Sequence, residues 1–228
     1  IEPDPSFSQL AFFKALAMER PDNADILVNL GRILVMNDKA AEAIPFLSRA
    51  VQLNEKDIRS LSLLTASQFQ TDDYTGAERT LRKMVHLPEA SPRIYLTLIA
   101  LLEEQGKRDD AKTIVAAARL RFPNEVEIDQ QHIQLLMKLG REKEALESAQ
   151  EMASRATDDP EIQSFLGDLA SDLKQFVVAE AAYRLALRQQ PDDPRLLNNL
   201  AWMLRNTSND HSEAIELARR AVEIEPDM

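Results

Sequence analysis

Cysteine does not occur in the 228 residues of this chain. Its absence excludes disulfides, thiolate nucleophiles and zinc sites built on cysteine. Glycine occurs only 5 times, and aromatic residues make up 5% of the chain. Low contents of both, together with abundant Ala, Leu, Glu and Arg, favour helix over sheet.

An excess of positive charge is also lacking, because the formal net charge is −11 and the pI is about 4.8. Nucleic-acid binding draws most of its affinity from basic side chains that contact phosphates, and anionic membranes attract the same side chains. We therefore predict no nucleic-acid partner. The longest apolar run, residues 94–102, is interrupted by Thr97. A membrane-spanning helix needs roughly 20 apolar residues, so we predict no membrane insertion within these residues.

A 34-residue periodicity is the main feature that is present. Proline followed by Asp or Asn recurs at Pro21, Pro123, Pro191 and Pro226, at intervals close to multiples of that length. Cutting the chain at Ala24 gives six units: 24–57, 58–91, 92–125, 126–159, 160–193 and 194–228. The last unit has one extra residue, which we place in the turn around 206–212, where an insertion costs little.

The units agree position by position. All six have alanine at position 20, allowing for the insertion: Ala43, Ala77, Ala111, Ala145, Ala179 and Ala214. Position 7 is Leu in every unit except 126–159, and position 32 is Pro in three units. Positions 1–14 and roughly 18–31 each predict an amphipathic helix. The alanine at position 20 allows the two helices to approach closely, and stacking of neighbouring pairs buries the apolar stripes.

This pattern resembles the tetratricopeptide repeat, whose 34-residue unit has small residues and a final proline at the same spacing. The resemblance covers residues 24–228, and it implies an all-α fold, a right-handed α-solenoid of tandem helix-turn-helix repeats. Residues 1–23 then correspond to a lead-in and the second helix of a partial repeat. The weakest copies are 58–91 and 126–159. In the latter, Asp129 and His132 occupy positions where the family prefers large apolar residues.

Residues suited to catalysis or metal binding do not cluster. The three histidines, His86, His132 and His211, lie at unrelated positions of different units, without the i, i+4 spacing of a helical metal site. Acidic pairs such as Asp72-Asp73 fall mostly at turns, where Asp caps the following helix. No glycine-rich phosphate loop is present. We predict no enzyme activity, no cofactor and no metal.

The resemblance implies that the first helices line a concave face and that positions 2, 5, 9 and 12 contact a partner. The candidate partner-binding residues in this chain are Val28, Arg32, Ser62, Phe69, Gln130, Gln134, Asp168, Asn198, Trp202 and Arg205. They do not match the carboxylate-clamp subclass, which uses Lys and Asn at positions 5 and 9. The last three units carry most of the negative charge, which favours either a basic partner segment or a solvated acidic surface.

We therefore predict a scaffold or adaptor that binds a protein or peptide in the groove of a tetratricopeptide superhelix. The run Leu197-Asn198-Asn199-Leu200-Ala201-Trp202 is similar to one in bacterial repeat proteins linked to exopolysaccharide secretion and envelope sorting. That similarity favours a bacterial envelope or secretion complex, periplasmic or outer-membrane-associated rather than cytoplasmic, although the residues do not fix the compartment.

Two alternatives stay open. The chain begins at Ile1 and stops just after a repeat-ending proline, so we expect it to be a piece of a longer protein. It is then either a scaffold or the recruiting or regulatory arm of a larger enzyme whose catalytic domain lies elsewhere. Self-association through uncapped terminal repeats is a further expectation, because such ends expose apolar surface.

Overall fold

The computed structural model describes residues 5–207 and 211–226, and within these ranges the chain is helical and has no strand. The predicted all-α fold of tandem helix pairs is confirmed. The helices are α1 Pro5–Glu19, α2 Ala24–Met36, α3 Ala40–Leu53, α4 Ile58–Gln70, α5 Tyr74–Met84, α6 Pro92–Glu104, α7 Arg108–Arg121, α8 Val126–Lys138, α9 Glu142–Arg155, α10 Pro160–Asp172, α11 Phe176–Gln189, α12 Pro194–Thr207 and α13 Ser212–Ile224. None of these helices combines the length and hydropathy that a membrane crossing requires.

The first helix of each pair begins where a side chain can cap it. These helices start at residues 24, 58, 92, 126, 160 and 194, which are 34 residues apart. The preceding residue is often Asn or Asp, whose side chain accepts hydrogen bonds from free backbone N–H groups in the first turn. Asn23 Oδ1 accepts from Ile26 N at 3.2 Å, and Asp193 Oδ1 accepts from Arg195 N at 2.8 Å.

A left-handed residue separates the two helices of each of the first five pairs. It is the fifteenth residue of its unit in five cases: Asp38, Asp72, Gly106, Gly140 and Lys174, with φ between 56° and 71°. Glycine adopts this conformation freely, and Asp tolerates it better than most residues do. The corresponding turn of the last unit includes residues 208–210, which lie outside the described residues, so the inserted residue around 206–212 stays a prediction.

The chain divides into two compact parts, which we call the N-terminal part, Ile1–Pro123, and the C-terminal part, Asn124–Met228. In the N-terminal part α1 packs on α2, and α2 and α4 pack side by side, while α3 and α5 each contact the helices before and after them. In the C-terminal part α10 and α12 pack side by side in the same way. Helix α1 lies within residues 1–23, for which the sequence predicts a partial repeat, and residues 1–4 of the lead-in lie outside the described residues.

Helix pairs are joined by a complementary choice of residue size at positions 8 and 24. Gly31 faces Leu47, and an added Cβ on Gly31 would lie 2.4 Å from Leu47 Cδ2. Gly167 faces Tyr183 in the same way, at 2.6 Å from Cε1. The order is reversed in the unit 126–159, where Ile133 stands at position 8 and Ala149 at position 24, both buried. These three pairs therefore fill their interiors with one large and one small residue, whereas the unit 92–125 buries two large ones, Ile99 and Val115.

Asp129, which departs from the apolar preference at its position, is buried with an ion-pair partner. Only 5% of the residue is exposed, and its carboxylate accepts from Arg155 Nη2. Asp129 lies in the first turn of α8, and Arg155 is the last residue of α9 in the same helix pair. A buried carboxylate is tolerated when a cation and hydrogen bonds compensate for its lost hydration. The unit 126–159 thus has a buried ion pair at a position where the first three units have Leu27, Leu61 and Tyr95.

Replacing Arg155 by methionine is expected to lower the free energy of unfolding by about 1–3 kcal/mol, because it leaves the Asp129 carboxylate buried without this cation. Chemical denaturation measures the change. Asp129→Leu combined with Arg155→Met restores the apolar residue that the repeat prefers, and it should recover most of the loss. An unchanged unfolding midpoint in the single variant would show that the ion pair does not stabilise the protein.

Acid pH should weaken a second group of ion pairs, which lies in the N-terminal part of the chain. Lys107 Nζ donates to Glu78 Oε2 at 2.6 Å and Arg82 Nε to Glu78 Oε1 at 3.0 Å. Above all the hydrogen bond from Lys107 lowers the pKa of Glu78. A lowered folded-state pKa stabilises the protein above the ordinary glutamate value of about 4.3, and this contribution is lost as the pH falls through the folded value.

Glu78→Gln is therefore expected to destabilise the protein at pH 7, by at most about 1 kcal/mol as for other surface ion pairs. The difference from the parent should shrink as the pH falls from 5 to about 2. Thermal unfolding across that range tests the prediction, with Glu55→Gln, at an exposed residue between α3 and α4, as the matched control. A difference that is constant with pH would contradict it.

Candidate protein-binding site

The four candidate residues of the N-terminal part, Val28, Arg32, Ser62 and Phe69, do not form one site. Val28 is buried, with 7% exposed, and therefore offers little surface to a partner. Arg32 is exposed and donates to the Met36 sulfur at 3.3 Å. Ser62 donates to the carbonyl oxygen of Ile58 at 2.7 Å, so its hydroxyl is bonded to its own helix. Phe69 is half-buried.

The two candidates on α8 are polar and have no apolar anchor among the candidate residues. Gln130 is half-buried and Gln134 is exposed. The side chain of Gln134 accepts from Gln131 Nε2 at 3.5 Å, within the same helix. These residues offer amide groups to a partner.

Three candidates on α10 and α12 do come together. Asp168, Asn198 and Trp202 line one pocket of about 500 Å³ in the C-terminal part. The neighbouring wall is formed by Ser171, Asp172, Tyr183 and Asn199. Trp202 is 57% exposed, so a large flat aromatic surface is open to a ligand beside two carboxylates and two amides.

The Asp168 carboxylate is held in place by two donors. Tyr183 Oη donates to its Oδ1 at 2.7 Å, and Asn199 Nδ2 donates to the same oxygen at 3.1 Å. Burial, and then the hydrogen bond to Asp168, keep the pKa of Tyr183 well above its ordinary value. The phenol therefore stays protonated and serves as a fixed donor at neutral pH. A carboxylate held in this way is preorganised to accept from a cationic or amide donor of a ligand.

The sequence did not predict that Tyr183 takes part in this pocket, because it lies on a second helix and its body is buried. Its hydroxyl reaches Asp168 because Gly167, on the facing helix, leaves room for the ring. The pairing of a glycine at position 8 with an aromatic residue at position 24 is the signal that could have revealed it. Asp172 was also missed, since it lies at the C-terminal end of α10 and not at positions 2, 5, 9 or 12.

Arg205 lies outside this pocket and lines a separate depression of about 360 Å³ between α12 and α13. That depression is mostly apolar and contains Ala201, Ile215 and Ala218. Trp202 and Asn198 border both pockets. In the part of the chain that the structure describes, no group of three or more His, Cys, Asp and Glu side chains is arranged to hold a metal ion.

Tandem helix pairs that repeat every 34 residues are the architecture of a helical repeat protein. Two family models, both described as tetratricopeptide repeat, match residues 10–67 and 166–228. The chain belongs to the tetratricopeptide repeat family. Proteins of this repeat class bind protein or peptide partners and are generally non-catalytic.

Similar proteins include the peroxisomal targeting signal receptor of Saccharomyces cerevisiae, 27% identical over 216 residues, which cover 94% of this chain and 31% of that protein. The BBSome complex member BBS4 of Bos taurus is 28% identical over 120 residues, or 50% of this chain and 23% of that protein. The chain thus spans about a third or less of the curated relatives that it matches.

Solved structures share the fold at lower identity. MamA from Desulfovibrio magneticus RS-1 has a TM-score of 0.56 at 19% identity, covering 73% of this chain and 93% of that chain. Pseudomonas aeruginosa pilF has a TM-score of 0.55 at 15% identity, covering 90% of this chain and 93% of that chain. At these identities the likeness concerns the helical repeat fold alone.

Proposed function

We propose that this chain is an interaction scaffold that holds an extended segment of a partner protein across α10 and α12, and that it is not itself an enzyme. The observation that carries the proposal is the shared pocket of Asp168, Asn198 and Trp202. It is the place where candidate residues from two neighbouring first helices meet. The yeast relative is named as a receptor for a targeting signal, which supports a protein segment as the ligand.

The chemistry of the pocket favours a segment with a basic residue next to an apolar one. Asp168 and Asp172 can accept from Lys or Arg, and charge-assisted bonds of this kind are the stronger ones. The Trp202 ring gives a flat contact for an apolar or cationic side chain. The Asn198 amide is exposed and can bond to a peptide backbone through both its donor and its acceptor.

Selection from a random peptide library on the whole chain tests this function. We expect selected peptides to be enriched in Lys or Arg and to lose about tenfold or more in affinity on Asp168→Ala. Gln134→Ala is the matched control, because Gln134 occupies the same position of the preceding unit and is exposed. It should change nothing. Equal losses for both variants, or affinity that does not depend on salt, would contradict the basic-segment proposal.

The proposed setting is a bacterial envelope or secretion complex. Its support is the run from Leu197 to Trp202, which includes three of the pocket residues, Asn198, Asn199 and Trp202. The alternative is a recruiting arm of a larger enzyme, since the chain spans only part of its relatives. The same pocket would then bind a substrate protein. Identification of the bound segment in the source organism distinguishes the two.

A further inference from the structure

A small pocket in the N-terminal part of the chain is lined by side chains of α3, α4 and α5. Its volume is about 220 Å³, below the roughly 300–1,000 Å³ of pockets that hold drug-sized ligands. None of the described residues that line it is acidic. We call it the α3–α5 pocket, and its polar walls include Ser48, Gln68, Gly76, Arg79, Thr80 and Lys83. It has room for a small group rather than for a whole metabolite.

The α3–α5 pocket lies where ion pairs join other second helices. A cation on one second helix pairs with an acid 28 or 29 residues later on the next: Lys14 with Glu42, Arg82 with Asp110 and Arg184 with Glu213. The corresponding positions of α3 and α5 hold Ser48 and Gly76, which are small and uncharged. The space that an ion pair fills between those helices is therefore open between α3 and α5.

Gln68 is a buried polar residue at a position that is otherwise apolar. Position 11 holds a buried apolar residue in the other five units: Leu34, Leu102, Leu136, Ala170 and Leu204. Gln68 is only 7% exposed, and its Oε1 accepts from Thr80 Oγ1 at 2.9 Å.

The amide nitrogen of Gln68 is left for a ligand. It has no hydrogen-bond partner among the residues that the structure describes. A Cβ added to Gly76 would lie 2.6 Å from this nitrogen, so the glycine leaves room for the amide at the wall of the pocket. A buried donor without a partner costs stability, and an acceptor bound in the pocket would remove that cost.

Two cations on α5 also line the pocket. Arg79 and Lys83 are four residues apart, which places them on the same face of the helix. Both are exposed, and neither forms an ion pair with a described residue. Asp73 lies beside Gly76 but does not line the pocket, because it caps α5 and accepts from Gly76 N at 2.9 Å. The pocket therefore combines two positive charges with one buried amide donor.

From this arrangement we propose that the α3–α5 pocket binds a phosphate group. A phosphate monoester carries a charge of about −1.5 to −2 and three strong acceptor oxygens. It can therefore accept from Arg79, Lys83 and the Gln68 amide together, whereas a carboxylate brings one charge to two cations. The group belongs either to a small soluble phosphate compound or to a phosphorylated side chain of a partner. This site does not depend on Asp168 or on the segment proposed above.

Titration of the whole chain with inorganic phosphate tests the proposal. The side-chain amide signals are followed by ¹⁵N NMR, and the Gln68 signal is identified by its loss in Gln68→Leu. We expect phosphate to shift this signal saturably, and acetate at the same ionic strength to need at least about tenfold higher concentrations. A Gln68 signal that does not respond to phosphate, or that responds equally to acetate, would overturn the proposal.

Peptides centred on phosphoserine with random flanks distinguish the two sources. Peptides that bind at least about tenfold more tightly than inorganic phosphate, and are displaced by it, assign the group to a phosphorylated partner. Peptides that bind no more tightly than inorganic phosphate assign it to a small soluble compound. Both results place phosphate in the pocket. Peptide binding that does not shift the Gln68 signal would overturn the assignment to this site.

Variants show which side chains hold the phosphate. Gln68→Leu restores the leucine of four other units, and Thr80 Oγ1 keeps a hydrogen bond to Gly76 O at 3.1 Å. Its unfolding midpoint without phosphate should therefore be no lower than that of the parent. By calorimetry, Gln68→Leu and Lys83→Ala should each weaken phosphate binding about tenfold. Lys112→Ala removes an exposed lysine of α7 and is the matched control. Parent-like affinity in both pocket variants, or an equal loss in Lys112→Ala, would overturn the proposal.

Discussion

Trp202→Ala is expected to weaken binding of a selected peptide by at least about 30-fold, which corresponds to about 2 kcal/mol. The ring is more than half exposed, so its removal costs little folding energy while it removes the largest apolar contact of the pocket. Tryptophan is over-represented among residues that dominate interface energies, because a rigid aromatic surface is buried with little loss of side-chain entropy. Isothermal titration calorimetry measures the change.

Met36→Ala provides the matched control. Met36 is also a large exposed apolar residue on the first helix of a pair, but it lies in the N-terminal part, away from the pocket. It should leave the affinity unchanged. Trp202 also borders the depression between α12 and α13, so the loss must be compared with Asp168→Ala and Ile215→Glu. Loss with Trp202→Ala and Asp168→Ala, but not with Ile215→Glu, assigns the peptide to α10 and α12. A parent-like affinity for Trp202→Ala would contradict the proposed anchor.

Gly167→Ala should lower the free energy of unfolding by about 1–3 kcal/mol, the usual cost of overpacking a core. The added methyl would lie 2.6 Å from Tyr183 Cε1 and 2.7 Å from Cδ1, and the ring is buried. Helix propensity favours alanine over glycine by up to about 1 kcal/mol, so the steric cost must exceed that gain. Denaturant unfolding followed by circular dichroism gives the free energy.

Displacement of the ring should also release the hydrogen bond from Tyr183 to Asp168, and peptide affinity should fall with stability. Gly167→Ala combined with Tyr183→Leu removes the clash, and it should recover stability but not the Asp168 hydrogen bond. Ser62→Ala on α4, at an exposed position, controls for helix propensity and should change stability by less than about 0.5 kcal/mol. A Gly167→Ala protein that is more stable than the parent would show that the helices separate without cost.

The 34-residue period of the sequence was enough to predict most of the helices and where they begin. Alanine at position 20 and the recurring prolines place the first helices at their observed starts, because sterics and capping act within a few residues. The left-handed residue of the turns was only partly predictable. Gly106 and Gly140 indicate it by residue type, whereas Lys174 gives no such signal and adopts φ 58° because the two flanking helices impose it.

The site was harder to predict, since it depends on contacts between different helices. The periodic positions correctly bring Asp168 and Trp202 to neighbouring first helices, but the same rule includes Val28, which the packing buries. Tyr183 was missed as a site residue because its place in the pocket depends on what lies across from it, a glycine on the facing helix. Periodicity identifies faces of helices, and pairing decides which of them binds.

Photo-crosslinking from a selected peptide to the whole chain tests the central claim most directly. A photoreactive residue is placed beside the basic residue of the peptide, and the linked segments are identified by mass spectrometry. The account predicts crosslinks to Pro160–Asp172 and Pro194–Thr207, and their loss in the Asp168→Ala protein at the same peptide concentration. Crosslinks confined to the second helices of the pairs, or to the N-terminal part, would contradict it.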